Sequence, residues 1–132
     1  MPTMLFLARH GETEWNLSGR LQGSGDSPLT ARGREQARRL GERLRHIQLD
    51  AIYASTARRA IHTAELARGA RDIPIITDAG LREISFGAWE GQTRQELQAR
   101  GETEIETYWC APHIYKPPAG GETLVELHRR MA

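Results

Sequence analysis

Arg9 and His10 follow directly on the apolar run Met4-Leu5-Phe6-Leu7-Ala8, and Glu12 comes two positions later. Two more arginines, Arg58 and Arg59, end the stretch "YASTARR", and Glu83 lies within "LREISFGAWEG". Guanidiniums beside an imidazole suit a tetrahedral oxyanion, because arginine forks match phosphate oxygens in pairs. A neutral histidine in that field can act as a base or a nucleophile. A glutamate kept protonated by burial would donate to a leaving group. Plainer readings exist for each. Arg9 can pair with Glu12 or Glu14 while His10 merely packs, and a lone glutamate such as Glu83 is more often a solvated surface residue. Metal binding is the rival role for His10, but no second histidine or cysteine stands at ligand spacing, and arginines repel a cation. No glycine-rich phosphate loop is present, so a nucleoside triphosphate is not indicated.

Certain elements must bring these groups together. The run 4–8 is short and continuously apolar, which predicts a strand buried on both faces, and Gly11 permits a sharp turn after it. Polar side chains at the carboxyl end of such a strand sit where open parallel sheets collect ligands. "NLSGRLQGSGDSPLT" reads as a polar loop. Thr30 caps a helix predicted over 31–46, with Ala37, Leu40, Leu44 and Ile47 as its apolar stripe. Gly41 within it costs about 1 kcal/mol relative to alanine. A second strand is predicted over 50–55. A helix then opens at Ser55 or Thr56, its first N–H groups available to an anion. A third strand is predicted over 73–77, where Pro74 marks a sheet edge. This alternation predicts an α/β protein with a mostly parallel sheet, placing Arg9, His10, the Arg58-Arg59 pair and Glu83 on one rim. Thr93 to Glu96 and Thr123 to Glu126 form capping boxes, with an irregular proline- and glycine-rich loop between them.

The bulk properties narrow the field. A chain of 132 residues predicts a single domain, 1–132. Eighteen basic residues against seventeen acidic ones leave +1, so no global field points to nucleic acid or a membrane surface. One cysteine, Cys110, excludes an internal disulfide and suits a reducing compartment. No stretch approaches the ~20 apolar residues of a membrane span, and the N-terminal run lacks a basic flank, so a cytoplasmic protein is expected. Trp89, Tyr108, Trp109 and Tyr115 either line a pocket for a ring or fill a core.

"RHGETEWN", residues 9–16, resembles the signature of the histidine phosphatase superfamily, also called the phosphoglycerate mutase-like family. The likeness continues in order through "GRLQG" at 19–23, "DSPLTARGREQA" at 26–37, "STARRAIHTAEL" at 55–66, "LREISFGAWEG" at 81–91 and "PAGGET" at 118–123. It implies a three-layer α/β/α fold with a mostly parallel sheet. It makes His10 the nucleophile that becomes phosphohistidine, with Arg9 and Arg59 holding the phosphoryl oxygens. Arg59 is preferred to Arg58 because the family's Arg-Ala-x-x-Thr-Ala pattern fits Arg59 to Ala64. Glu83 matches the proton donor, Asn16 a phosphate-contacting amide, and Gln22 with Gly23 the loop beside the substrate. The implied substrate is a small phosphate monoester, hydrolysed in two displacements without metal or other cofactor. "ISFGAWEGQTRQEL" looks more like the phosphatase branch than the mutases, and "LREISFGAWEG" is similar to α-ribazole phosphatases and broad-specificity relatives. A phosphoglycerate mutase and a non-catalytic phosphate-binding relative are the alternatives.

One departure stands out. The family carries a second catalytic histidine in a His-Gly motif that ends a later strand, and this sequence has no such motif. His46, His62, His113 and His128 all fall elsewhere in the pattern. The fold is therefore expected to be incomplete at the C-terminus, lacking a strand between those corresponding to the first and second here. A fragment of a longer phosphatase is the favoured reading; a sheet completed by a second copy and a naturally short, non-catalytic relative are the others. Losing one oxyanion-stabilising donor costs on the order of 10²–10³ in rate, so weak or absent turnover is expected at this length.

Overall fold

The polar loop after His10 is not wholly irregular: it opens with helix α1 (Glu14–Leu17) in the computed structural model, which describes residues 3–132. Thr13 and Asn16 close a reciprocal capping box there. Helix α2 (Ala31–Arg43) starts where expected, with Thr30 Oγ1 accepting from Gly33 N at 2.9 Å, and it ends three residues short of His46. Strand β1 (Ile52–Ser55) leads into α3 (Arg58–Arg68), followed by strand β2 (Ile75–Asp78). The two strands are parallel, Ile52 opposite Ile75 through Ser55 opposite Asp78. Pro74 immediately precedes β2, so its missing N–H interrupts no ladder. The remaining helices are α4 (Arg94–Ala99), α5 (Glu104–Cys110) and α6 (Leu124–Met131). Thr93 and Thr123 cap α4 and α6 through complete capping boxes. Helix α5 has no side-chain cap, which explains why the sequence gives it no visible start.

Small residues set the packing. Helix α2 lies against α3, and α3 against β1. Ala37, Ala54, Ala57, Ala64 and Ala67 are buried there. Gly41 belongs to that contact: a Cβ on it would stand 2.4 Å from the carbonyl oxygen of Ala67. Its propensity cost thus permits a close helix crossing. The larger apolar core lies elsewhere, formed by Ile84, Phe86, Trp89, Leu97, Ile105 and Tyr115. Trp89 and Tyr115 therefore fill a core, with Tyr108 stacked edge-on against Phe86 and Tyr115 at 5.0 Å, while Trp109 is exposed.

The strand predicted over 4–8 is corrected by the structure. Residues 4–8 pair with no strand among the described residues, and their side chains face solvent, Leu7 being 95% exposed. A strand exists only through a ladder with a neighbour, and among the described residues the sheet consists of β1 and β2. The apolar composition of the run states what it would bury, not what lies beside it.

Candidate active site

Glycines bring the turn after residue 8 onto the helices. A Cβ on Gly33 would stand 2.0 Å from the carbonyl oxygen of Glu12, and one on Gly11 would stand 2.3 Å from that of Gly33. The backbone at 11–12 therefore rests directly on the first turn of α2. Three polar contacts fix it. Gly11 N donates to Thr63 Oγ1 on α3 at 3.0 Å, Glu12 N to Gln36 Oε1 on α2 at 2.9 Å, and Thr30 N to Glu12 O at 2.9 Å. His10 is thereby held between two helices without a sheet behind it.

The imidazole is positioned through one nitrogen. His10 Nδ1 lies 2.8 Å from Gly11 O. A carbonyl only accepts, so Nδ1 carries the proton and Nε2 is left with its lone pair. Burial lowers the pKa below the ordinary histidine value, and the charges of Arg59 and Arg9 push the same way, against the Gly11 hydrogen bond and the Glu83 charge. The ring is thus a neutral nucleophile or base.

Arg59 is the buried cation, only 3% exposed. Its Nη1 donates to Gly25 O at 2.7 Å and lies 3.3 Å from Asp26 Oδ1. Its Nη2 donates to Gly23 O at 3.0 Å and to Glu83 Oε2 at 3.1 Å. Arg59 Nε is buried with no hydrogen-bond partner among the described residues. Arg58, by contrast, points outward. The loop that grips Arg59 is itself shaped by Glu90, whose carboxylate accepts from Ser24 N and Gly25 N, each at 2.8 Å. Gly23 adopts φ +52°, and a Cβ there would stand 2.5 Å from Glu90 Oε1, so both backbone angle and space require glycine.

Two expectations are corrected here. The first N–H groups of α3 are not open to an anion: Arg58 N donates to Asp26 Oδ2 at 2.6 Å, and Arg59 N lies 3.4 Å from Asp26 Oδ1. The helix is capped by a carboxylate from a distant loop, with Ala57 rather than Ser55 or Thr56 at its N-cap. Glu83 follows the plainer reading of a surface residue: its side chain is 42% exposed and paired with Arg59. The ion pair proposed between Arg9 and Glu12 or Glu14 is not present among the described residues, where Glu12 instead faces Arg32 and accepts from Thr30.

Of the other residues singled out, Asn16 uses its Oδ1 for the α1 cap, leaving its amide nitrogen without a partner among the described residues. Gln22 is buried, its Oε1 accepting from Thr13 and Ser27 hydroxyls at 3.0 and 3.3 Å. It braces the loop that carries Gly23. His46, His62, His113 and His128 are all exposed. Beside Glu83 opens a cleft of about 580 Å³, bordered by Ser24, Arg82, Ser85 and Arg130. Tyr108 stands near enough that Glu83's charge reinforces burial in pushing its phenol up. Asp26, Thr63 and Glu90 carry structural roles that the sequence reading did not assign. Thr63 alone left a local signal, four residues after Arg59 on the same helix face.

The family model for the histidine phosphatase superfamily, branch 1, matches residues 5–132. The "Probable phosphoglycerate mutase GpmB" of Proteus mirabilis is 39% identical over 131 residues, covering 96% of this chain and 59% of its own length. The adenosylcobalamin/alpha-ribazole phosphatase of Salmonella typhimurium is 37% identical over 127 residues, covering 96% and 62%. The chain thus spans 59–62% of the length of these relatives. Among solved structures, Bacillus stearothermophilus YhfR superposes with TM-score 0.87 at 49% identity, over 92% of this chain and 60% of that one. The alpha-ribazole phosphatase of Shigella flexneri gives 0.83 at 32% identity, over 92% and 59%.

Proposed function

The chain belongs to the histidine phosphatase superfamily, and on that footing we propose that its site hydrolyses phosphate monoesters through a phosphohistidine on His10. The observation that carries this reading is the tautomer: with Nδ1–H held by Gly11 O, the neutral ring presents a bare Nε2. Nε2 attacks phosphorus in line, a P–N bond forms, the ester P–O bond breaks, and Glu83 gives its proton to the departing alcohol oxygen. Glu83, now a carboxylate, takes a proton from water as that water attacks phosphorus. The P–N bond breaks, and inorganic phosphate leaves with His10 neutral again. Arg59 and Arg9 stabilise the charge that develops on the phosphoryl oxygens.

The ion pair between Glu83 and Arg59 fits this sequence of events. A phosphate dianion arriving at Arg59 competes with Glu83 for the guanidinium and releases the carboxyl toward the ester oxygen. Gly23 meets Arg59 through its carbonyl oxygen, and the family resemblance adds the Asn16 amide as a further phosphate contact. The substrate class is a small phosphorylated metabolite. α-Ribazole 5′-phosphate is the first to try, because relatives carry that name.

The test is acid-labile, base-stable phosphate on the chain after exposure to p-nitrophenyl phosphate, with His10→Ala as control. Labelled wild type and unlabelled variant are expected. Equal labelling of both would remove His10 from the chemistry, and no label on either would remove the proposal. A label without release of inorganic phosphate would favour a binding role over turnover.

A further inference from the structure

Glu83 lies in backbone that neither sheet nor helix secures. A single 3-10 turn, Ala79–Leu81, precedes it, and residues 82–85 form no regular element. Something else must hold a proton donor there. Buried Ile84 and Phe86 anchor the segment in the core, and one side-chain pair at the far end of the chain holds the backbone of Glu83 itself. Glu122 stands just before α6, and Arg130 lies near the end of that helix.

Every nitrogen of the Arg130 guanidinium is engaged. Nε and Nη2 grip Glu122 in a fork, at 2.8 Å to Oε1 and 2.9 Å to Oε2. Nη1 donates to Gly80 O at 2.8 Å, and Nη2 also donates to the carbonyl of Glu83 itself at 3.1 Å. From the other side, Glu122 N donates to Ser85 O at 2.8 Å and its Oε2 accepts from Ser85 N at 3.2 Å. The backbone is thus held before, at and after the residue whose carboxylate meets Arg59. The pair is largely buried, with side chains 27% and 15% exposed, so it is not a loose surface contact.

We propose that the Arg130–Glu122 pair is the positioning device for Glu83, setting the reach of its carboxyl toward the leaving-group oxygen. This rests on the proton-donor reading of Glu83 given above. A proton donor moved by about 1 Å loses on the order of 10²-fold in rate. The loss falls only on esters whose alcohol must be protonated as it leaves.

That dependence separates positioning from simple anchoring of α6. The experiment measures first-turnover labelling of His10 from phenyl phosphate and from 2,4-dinitrophenyl phosphate, whose phenolate departs unprotonated. It compares wild type with Arg130→Met, Arg130→Lys and Glu122→Gln, each checked for native circular dichroism. Arg130→Met is expected to lose on the order of 10²-fold on phenyl phosphate and under about threefold on the dinitrophenyl ester. Arg130→Lys, which keeps the charge but not the fork, should recover part of that loss, and Glu122→Gln should fall between. Equal losses on both esters, or none on either, would overturn the proposal. Should Arg130→Met fail to fold, the ratio between the two esters in Arg130→Lys and Glu122→Gln decides in the same way. Absence of label in wild type from either ester would strike the His10 nucleophile reading, and equal labelling rates from both esters in wild type would strike the proton-donor reading and this inference with it.

Discussion

At the scale of single residues, the chemistry turns on one proton. His10 keeps its Nδ1 proton on a backbone carbonyl, and burial, aided by two guanidiniums, holds its pKa below the ordinary 6.5. Two consequences follow with opposite readouts. Nε2 stays unprotonated to lower pH, so the acid limb of His10 labelling should lie below pH 6.5, as should the midpoint of its NMR titration; a midpoint at or above that value would contradict the site described here. Stability runs the other way. Above pH 6.5 the ring is neutral both folded and unfolded and contributes nothing. As pH falls through 6.5 the unfolded chain takes up a proton that the buried ring resists, so stability declines until the lower folded value is passed. His10→Asn should flatten that part of a urea-denaturation series across pH.

At the scale of elements, the site is built by contacts between loops and helix starts. Gly33 lets the turn after His10 lie on α2, and a Cβ there has no room beside Glu12 O. Gly33→Ala should therefore destabilise the chain by about 1–3 kcal/mol or more, as overpacking does. It should also slow labelling of His10; a midpoint in urea unchanged from wild type would show that the turn moves aside freely. Asp26 serves α3 from 32 residues away, its two oxygens facing the backbone N–H groups of Arg58 and Arg59 while also meeting the Arg59 side chain. Replacing it with alanine removes a helix cap, costing about 0.5–2 kcal/mol, and frees Arg59 Nη1 of one partner. Native-state hydrogen exchange should show faster exchange at those two amides. The capping boxes at Thr93 and Thr123 were readable because their glutamate partners lie three residues on, whereas the one at Thr13, with asparagine in that place, went unread. Asp26 gave no such sign, since its partners lie across the fold.

For the whole molecule, the imbalance is in its apolar surface. Met4, Leu5, Leu7, Tyr53, Val125 and Met131 are all exposed large side chains, and among the described residues the parallel pair β1–β2 has no further strand beside it. Exposed apolar side chains bind hydrophobic probes. The folded chain should therefore enhance the fluorescence of an anilinonaphthalene dye, and Leu5→Lys combined with Leu7→Lys should reduce that signal while leaving the thermal midpoint within a few degrees. An unaltered signal would place the dye elsewhere. Among the described residues, no helix is long and apolar enough to cross a membrane.

The alternation of apolar runs and helix patterns determined the α/β class and the parallel strands, and the order of motifs determined the family; the motifs also preferred Arg59 to Arg58, and Arg59 is the one the structure buries. Local patterns carried that much because caps, turns and apolar periodicity act between near neighbours. Only the tertiary structure decided that residues 4–8 form no ladder, that α3 is capped by Asp26, and that Glu83 is exposed and held by Arg130 and Glu122. Each of those depends on which groups meet across many residues of chain. Burial and pairing are properties of a neighbour, and a sequence names the neighbour only when it stands close by.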